Sequence, residues 1–155
     1  METGLRAMNG DARPTALAIR PPDSKTADLL SNIGAVYSKG QAVLLMMERW
    51  LGEATFRKGI ISYLNQNEWK NATAADLWKA LSEASGKDVE HTLGKFITQP
   101  GVPLVTIDIL DDNKLRLSQK RFMNYGNTAP EELIWQIPVL LKFSDGKASK
   151  ESSMV

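Results

Sequence analysis

Residues Val36–Leu51 read VYSKGQAVLLMMERWL and decide the fold, because a polar turn leads here into the longest apolar run of the chain. Ser38 can accept a hydrogen bond from a free backbone N–H of a first helical turn, so the stretch predicts a helix entered through that turn. The run has no wide polar face, and we expect the helix to be buried on most sides. Ser38 and Lys39 are interpreted as a cap and a surface charge.

A second helix is predicted over Glu53–Leu64, after a break at Gly52. Its apolar residues recur at helical spacing and form one stripe, which consists of Phe56, Ile60, Tyr63 and Leu64. We expect Trp69, which follows the end of this pattern, to fold back onto the helices.

Two further helices have clear start and stop signals. Thr73, with Asp76 three residues later, is close to a capping box, and Gly86 is a natural residue after the end of that helix. Asp88 caps a last helix that carries Val89 to Ile97. A short helix is also possible over Thr26–Ile33, and another near the amino terminus, up to Asp11.

The apolar period changes to that of strands near Gly101. Leu104–Leu110 alternates between apolar and polar residues and, after a turn at residues 111–113, Lys114–Phe122 returns, which predicts a hairpin. A third strand is predicted from Trp135 to Phe143, and Lys147–Val155 is ambiguous. The fold class is therefore α+β, with helices followed by antiparallel strands.

The composition excludes some function classes. The chain has 155 residues, a net charge of +1 and no cysteine, so charge gives no reason to expect nucleic-acid binding, and disulfides are excluded. No apolar run approaches the roughly eighteen residues of a membrane span. The first residues do not resemble a signal peptide. Localisation is left open by these observations.

Several spaced motifs follow one another in one unbroken order between Tyr37 and Pro103: YSKG at 37–40, VLLMME at 43–48, LGE at 51–53, FRKG at 56–59, YL at 63–64, NATAADLW at 71–78, SGKDV at 85–89 and QPGVP at 99–103. These motifs resemble the aminopeptidase N family of zinc metallopeptidases, the gluzincins, and the likeness is firm over this whole range. The sequence departs from the family's pattern at two places near these motifs: Phe96 stands where the family usually has Trp, and Ile33–Val36 differs from the pattern that precedes the tyrosine.

This resemblance implies a role for Tyr37, the candidate catalytic residue. In the family, the tyrosine of the Tyr-x-Lys-Gly motif points into the active site and donates its hydroxyl to the tetrahedral intermediate of peptide hydrolysis. The family's zinc ligands and general base come from H-E-x-x-H and a later Glu. Neither that motif nor the family's Gly-x-Met-x-Asn motif is present, and His91 is the only histidine. We expect the intact parent enzyme to bind zinc and this chain alone to bind none and to be inactive.

The resemblance also implies a domain organisation and partners. Residues 1–100 would form the helical, carboxyl-terminal part of a thermolysin-like catalytic domain, and residues 101–155 an incomplete β-sandwich. Three visible strands are fewer than the roughly seven of a sandwich, so we expect exposed strand edges and self-association. Peptide substrates and the rest of the parent chain are the other expected partners.

A non-catalytic interaction module that keeps these segments is the alternative, and Tyr37 would then be a packing residue. Other candidate sites have ordinary structural interpretations. Adjacent Met46 and Met47 are typical core residues, and His91 lacks partners at metal-ligand spacing. The acidic pairs Glu48 with Glu53 and Asp111 with Asp112 have the pattern of surface charge, and Gln119 and Arg121 are interpreted as architectural.

Overall fold

The computed structural model describes residues 8–21, 33–110, 114–129, 132–144 and 149–154. A helical turn over residues 8–11 comes first. Within the described residues it is followed by α1 (Ile33–Leu51), α2 (Glu53–Gln66), α3 (Ala74–Ser85), α4 (Val89–Thr98), β1 (Pro103–Leu110), β2 (Lys114–Arg121), β3 (Val139–Ser144) and β4 (Ser149–Met154). The α+β class, with helices followed by antiparallel strands, is confirmed. The predicted turn at 111–113 and nearly all of the possible helix at 26–33 lie outside the described residues.

The described chain divides into two compact units. One unit takes its residues from Met1–Ala42 and Phe96–Trp135, and the other from Val43–Lys95 and Gln136–Val155. The division falls within α1 and α4, whereas the change from helix to strand occurs near Gly101. The domain boundary between residues 100 and 101 stays a prediction.

Helix α1 begins at Ile33, well before the predicted polar turn, and Ser38 is not its cap. The Ser38 hydroxyl donates a hydrogen bond of 2.9 Å to the carbonyl oxygen of Gly34, four residues earlier. A serine that bonds backwards in this way is compatible with a helix interior, because its hydroxyl replaces water on a carbonyl of its own helix. The prediction of a helix entered at Ser38 was wrong by more than one turn.

Burial along α1 is one-sided. Val43, Met47 and Trp50 are buried at helical spacing, whereas Leu44 and Leu45 are exposed. The prediction that this helix is buried on most sides was therefore wrong. An apolar run in the sequence does not distinguish a helix surrounded by the core from a helix that lies on it.

Helices α2 and α3 meet at a glycine. Gly59 is the buried residue of α2, and a Cβ atom added to it would lie only 2.7 Å from Cδ2 of Leu81 on α3. The predicted stripe on α2 is only partly correct, because Leu64 is 59% exposed. The same position is 3.2 Å from Cα of Leu81, so the two backbones approach closely at Gly59.

The predicted start and end of α3 and the predicted cap of α4 are confirmed. The Thr73 hydroxyl accepts a hydrogen bond from the Asp76 N–H, and the Asp76 carboxylate accepts one from the Thr73 N–H at 2.7 Å, which completes a capping box. Gly86 adopts a left-handed conformation after α3. The Asp88 carboxylate accepts a hydrogen bond of 2.9 Å from the His91 N–H at the start of α4.

Trp69 does not fold back onto the helices. Its side chain is 97% exposed, and its backbone φ is 59°. The indole N–H donates a hydrogen bond of 3.1 Å to the carboxylate of the neighbouring Glu68. That prediction followed the hydrophobicity of tryptophan, whereas the left-handed turn at this residue directs the side chain to solvent.

Strands β1 and β2 form the predicted hairpin. They pair antiparallel, with Ile107 opposite Leu117 and Ile109 opposite Leu115. Ile107 is 55% exposed and Ile109 is 84% exposed, so the apolar face of this hairpin is largely uncovered by the described residues. The incomplete β-sandwich over residues 101–155 stays a prediction.

The third strand begins at Val139, not at Trp135. The Gln119 side chain holds the backbone of Trp135 through two hydrogen bonds, of 2.9 Å to its N–H and 2.8 Å to its carbonyl oxygen. A side chain therefore takes the hydrogen bonds that a strand ladder would have used. Strand β3 pairs antiparallel with β4, which forms from the polar segment Ser149–Met154. In the part of the chain that the structure describes, no helix is long and apolar enough to cross a membrane.

Candidate functional site

Tyr37, the residue singled out by the sequence, lies in the second turn of α1. Its side chain is 74% exposed. Consecutive residues of an α-helix are rotated by about 100°, so residues two apart point to nearly opposite sides. Lys39, two residues after Tyr37, is only 4% exposed. The turn 37–39 therefore has an inward lysine and an outward tyrosine.

The Lys39 ammonium is surrounded by three oxygen atoms from two other segments of the same unit. Its Nζ lies 2.8 Å from Oδ2 of Asp11, which is also buried, and the two charges form an ion pair. The ammonium also donates hydrogen bonds to the carbonyl oxygens of Gly101 at 2.9 Å and Gln99 at 3.3 Å. We call Lys39, Asp11, Gln99 and Gly101 the Lys39 anchor. The interpretation of Lys39 as a surface charge was wrong.

The Arg121 side chain lies against Gly101, one of the residues of the Lys39 anchor. Gly101 has a φ of +86°, and a Cβ atom on it would lie 2.5 Å from Nε of Arg121, so both its conformation and its surroundings require glycine. The Arg121 guanidinium donates a hydrogen bond of 3.1 Å to the carbonyl oxygen of Arg13. Arg121 is itself buried. Gln119 and Arg121 therefore have the architectural roles expected of them.

Two cations and one carboxylate share this buried region, and their charges do not balance. Burial lowers the pKa of Lys39 below 10.5, the charge of Asp11 opposes that effect, and the charge of Arg121 adds to it. Contacts with three oxygen atoms nevertheless compensate much of the cost of burying an ammonium. Lys39 thus links the YSKG motif of α1 to the QPG motif that follows α4.

Sequence reasoning missed both members of the ion pair. The signal for Lys39 was its place at the entry of an apolar run, where the stripe of Val43 and Met47 continues on the same side of the helix. No comparable signal marks Asp11, which is remote in sequence and is the last residue of a short helical turn. A long-range pair of this kind becomes visible only when the segments are placed in space.

The other candidates show no arrangement that suggests chemistry. Within the described ranges, no group of three His, Cys, Asp or Glu residues could hold a metal ion. His91 is exposed at the start of α4, as expected, and Met47 is fully buried. An open groove of about 590 Å³ lies between the end of β2 and residues 122–129, 132 and 133, and Tyr37 does not line it.

Comparison with known proteins identifies the chain's relatives. Residues 6–96 match the model of the peptidase family M1 domain. Aminopeptidase N of Lactococcus lactis is 42% identical over 104 residues, which are 67% of this chain and 12% of that protein. Aminopeptidase 2 of Candida albicans is 33% identical over 96% of this chain and 16% of its own length. Alanine/arginine aminopeptidase of Saccharomyces cerevisiae is 36% identical over 90% of this chain and 16% of its own length.

A solved structure shows the same fold. Legionella pneumophila aminopeptidase A, crystallised in complex with aspartic acid, superposes with a TM-score of 0.54 and 22% identity. The superposition covers 98% of this chain and 18% of that chain. The chain thus spans roughly an eighth to a sixth of the curated relatives named here. From the family match, the relatives and the shared fold, the chain belongs to peptidase family M1, the family of the aminopeptidases that it resembles.

Proposed function

We propose that this chain is the tyrosine-bearing segment of a longer, zinc-dependent aminopeptidase that removes amino-terminal residues from peptides. The observation that carries the proposal is the arrangement of YSKG on α1, where the Lys39 anchor holds one side of the turn and Tyr37 is exposed on the other. The named relatives are aminopeptidases, and the chain covers only a small share of each.

The role of Tyr37 follows from the chemistry of its hydroxyl group. When water attacks a peptide carbonyl, the carbonyl oxygen gains negative charge, and a hydrogen-bond donor held near that oxygen stabilises the transition state. A tyrosine O–H is such a donor. A position on a helix, which is more rigid than a loop, suits a group that must already point in the right direction before the reaction.

The residues of this chain do not fit a zinc site by themselves. The sequence contains one histidine and no H-E-x-x-H, and the described residues contain no cluster of metal ligands. Zinc would therefore be held by other segments of the longer enzyme, and this chain's contribution is the tyrosine. We expect the isolated chain neither to retain zinc nor to hydrolyse peptides.

The test uses a chimera of Lactococcus lactis aminopeptidase N, in which the matched 104-residue segment is replaced by the corresponding residues of this chain. Tyr37→Phe removes one hydroxyl group and keeps the ring. We expect kcat for an aminoacyl p-nitroanilide to fall about 100- to 1,000-fold, because this is the usual cost of losing one oxyanion donor.

Tyr63→Phe on α2 is the matched control, since it removes a hydroxyl from a half-buried tyrosine of the other compact unit. It should leave kcat within about twofold of the unsubstituted chimera, because it removes no hydroxyl that the proposal assigns to the reaction. A Tyr37→Phe chimera with the kcat of its parent would remove Tyr37 from the mechanism and favour the interaction module.

A further inference from the structure

We propose that Lys39 is a positioning residue for Tyr37: the Lys39 anchor sets the rotation of the first turns of α1 and thereby the direction in which Tyr37 points. This inference rests on the proposed function only for the catalytic role of Tyr37. The geometric claim concerns the described residues of one compact unit and can be tested without catalysis.

Three oxygen atoms from segments distant in sequence surround the Lys39 ammonium. Asp11 is remote from Lys39 in sequence, and Gln99 and Gly101 lie sixty and sixty-two residues after it, at distances of 2.8, 3.3 and 2.9 Å from Nζ. Hydrogen bonds and ion pairs depend on direction, unlike apolar contacts, which tolerate sliding and rotation. The lysine therefore fixes the helix in one rotational setting.

The partners of Lys39 are themselves held in place by backbone hydrogen bonds. The segment after Asp11 is tied to the chain after β2, because Asn124 N–H donates a hydrogen bond of 2.9 Å to the Ala12 carbonyl oxygen. The segment after Gly101 is tied to the same region, because Phe122 N–H donates a hydrogen bond of 2.9 Å to the Val102 carbonyl oxygen. The Lys39 anchor therefore connects α1 to two segments that are themselves hydrogen-bonded to the chain at the base of the β1–β2 hairpin.

A rotation of α1 about its own axis would affect Tyr37 and Lys39 together. Turning α1 by one residue, about 100°, would change the direction in which Tyr37 points. The same turn would pull the ammonium away from all three oxygen atoms while it is still buried, which is strongly unfavourable. The orientation of Tyr37 is therefore coupled to the pairing of Lys39, although the two side chains lie on opposite sides of the helix.

The test measures the exposure of each tyrosine ring in the 155-residue chain. The chain has three tyrosines, which can be labelled together as 3-fluorotyrosine and observed by 19F NMR, with Tyr37→Phe to assign one resonance. Broadening by a soluble paramagnetic agent reports how accessible each ring is. In the wild type, broadening should be greatest for fully exposed Tyr125, intermediate for Tyr37 and least for half-buried Tyr63.

Lys39→Met keeps the length and apolar character of the stem and removes the ammonium. We expect the broadening of Tyr37 to rise to the value of Tyr125, because the first turns of α1 are released, while Tyr63 keeps its wild-type value. Lys58→Met, at an exposed lysine of α2, is the matched control and should leave all three resonances unchanged.

A second variant removes the concern that Lys39→Met leaves the Asp11 carboxylate buried without a partner. The double variant Lys39→Met/Asp11→Asn removes both charges, and we expect it to show the same rise at Tyr37. Wild-type broadening of Tyr37 in either variant, with Tyr63 also unchanged, would overturn the proposal. So would loss of the folded Tyr63 resonance in both variants, because Lys39 would then serve stability in general.

The kinetic counterpart distinguishes this inference from the proposed function. In the chimera, Lys39→Met should lower kcat with little change in KM, and the loss should disappear when Tyr37→Phe is already present. Equal losses in both backgrounds would show that Lys39 does not act through Tyr37. If Tyr37→Phe alone leaves kcat unchanged, the proposed function fails, and the NMR result still decides whether Lys39 orients the ring.

Discussion

At the residue scale, Lys39 shows that the identity of a residue does not decide whether its side chain is exposed or buried. Lysine is usually exposed, and for that reason Lys39 was interpreted as a surface charge. The structure buries it with Asp11, a partner that no local pattern reveals. The identity of Tyr37 was predictable from its motif, but the reason for its outward direction was not, because that reason lies in the burial of the residue two positions later.

The lowered pKa of Lys39 predicts a pH dependence of stability. Below its folded-state pKa, Lys39 is charged in both states; between that pKa and 10.5, the unfolded chain binds a proton that the folded chain does not. The contribution of Lys39 to the free energy of unfolding should therefore increase as the pH rises towards 10.5. Urea unfolding of the wild type and of Lys39→Met/Asp11→Asn across this range measures it as the difference between the two proteins.

The double variant is the control for all other groups that titrate in the alkaline range. The wild-type chain should gain stability relative to this variant as the pH rises. A relative loss of stability would mean that Asp11 outweighs burial and that the pKa of Lys39 is raised.

At the element scale, local capping signals predicted the two ends of α3 and the start of α4, whereas the start of α1 and the packing of the helices were not predicted correctly. The capping box of Thr73 with Asp76 and the left-handed Gly86 are local signals, and both were confirmed. The apolar period predicted a stripe of large residues on α2 but no partner for it, whereas a Cβ atom added to Gly59 would lie only 2.7 Å from Cδ2 of Leu81 on α3. A glycine inside a helix has no side chain to signal a contact, so periodicity alone does not find it.

Gly59→Ala is predicted to destabilise the chain. The added Cβ would lie 2.7 Å from Cδ2 of Leu81, which can move, but also 3.2 Å from Cα of Leu81, which belongs to the backbone of α3. Overpacking of this kind costs about 1–3 kcal/mol. Alanine recovers only about 0.5–1 kcal/mol through its higher helix propensity, so the net effect on the free energy of unfolding should be negative.

Gly94→Ala on α4 is the matched control, because the nearest atom to its added Cβ would be Cγ of Glu90 at 4.0 Å. That variant should be stabilised by the propensity effect alone, about 0.5–1 kcal/mol. Chemical denaturation of both variants gives the comparison. Equal stabilisation of Gly59→Ala and Gly94→Ala would contradict the close packing of α2 against α3.

At the scale of the whole molecule, the order of helices followed by antiparallel strands was predictable from the change of apolar period near Gly101. The start of β3 was not, because the Gln119 side chain holds the backbone of Trp135 outside the ladder. Strand β4 was not predicted either, since its sequence is polar. The exposed apolar face of β1 and β2 leaves self-association of the isolated chain as a prediction.

The central claim is that this chain is one segment of a zinc aminopeptidase whose metal ligands lie elsewhere in the same polypeptide. The most direct measurement is the nucleotide sequence of the reading frame on both sides of the 155 codons. The account predicts an in-frame H-E-x-x-H upstream, followed by the further Glu that completes the ligand set. A stop codon immediately before a start codon at Met1, together with a stop codon after Val155, would contradict it.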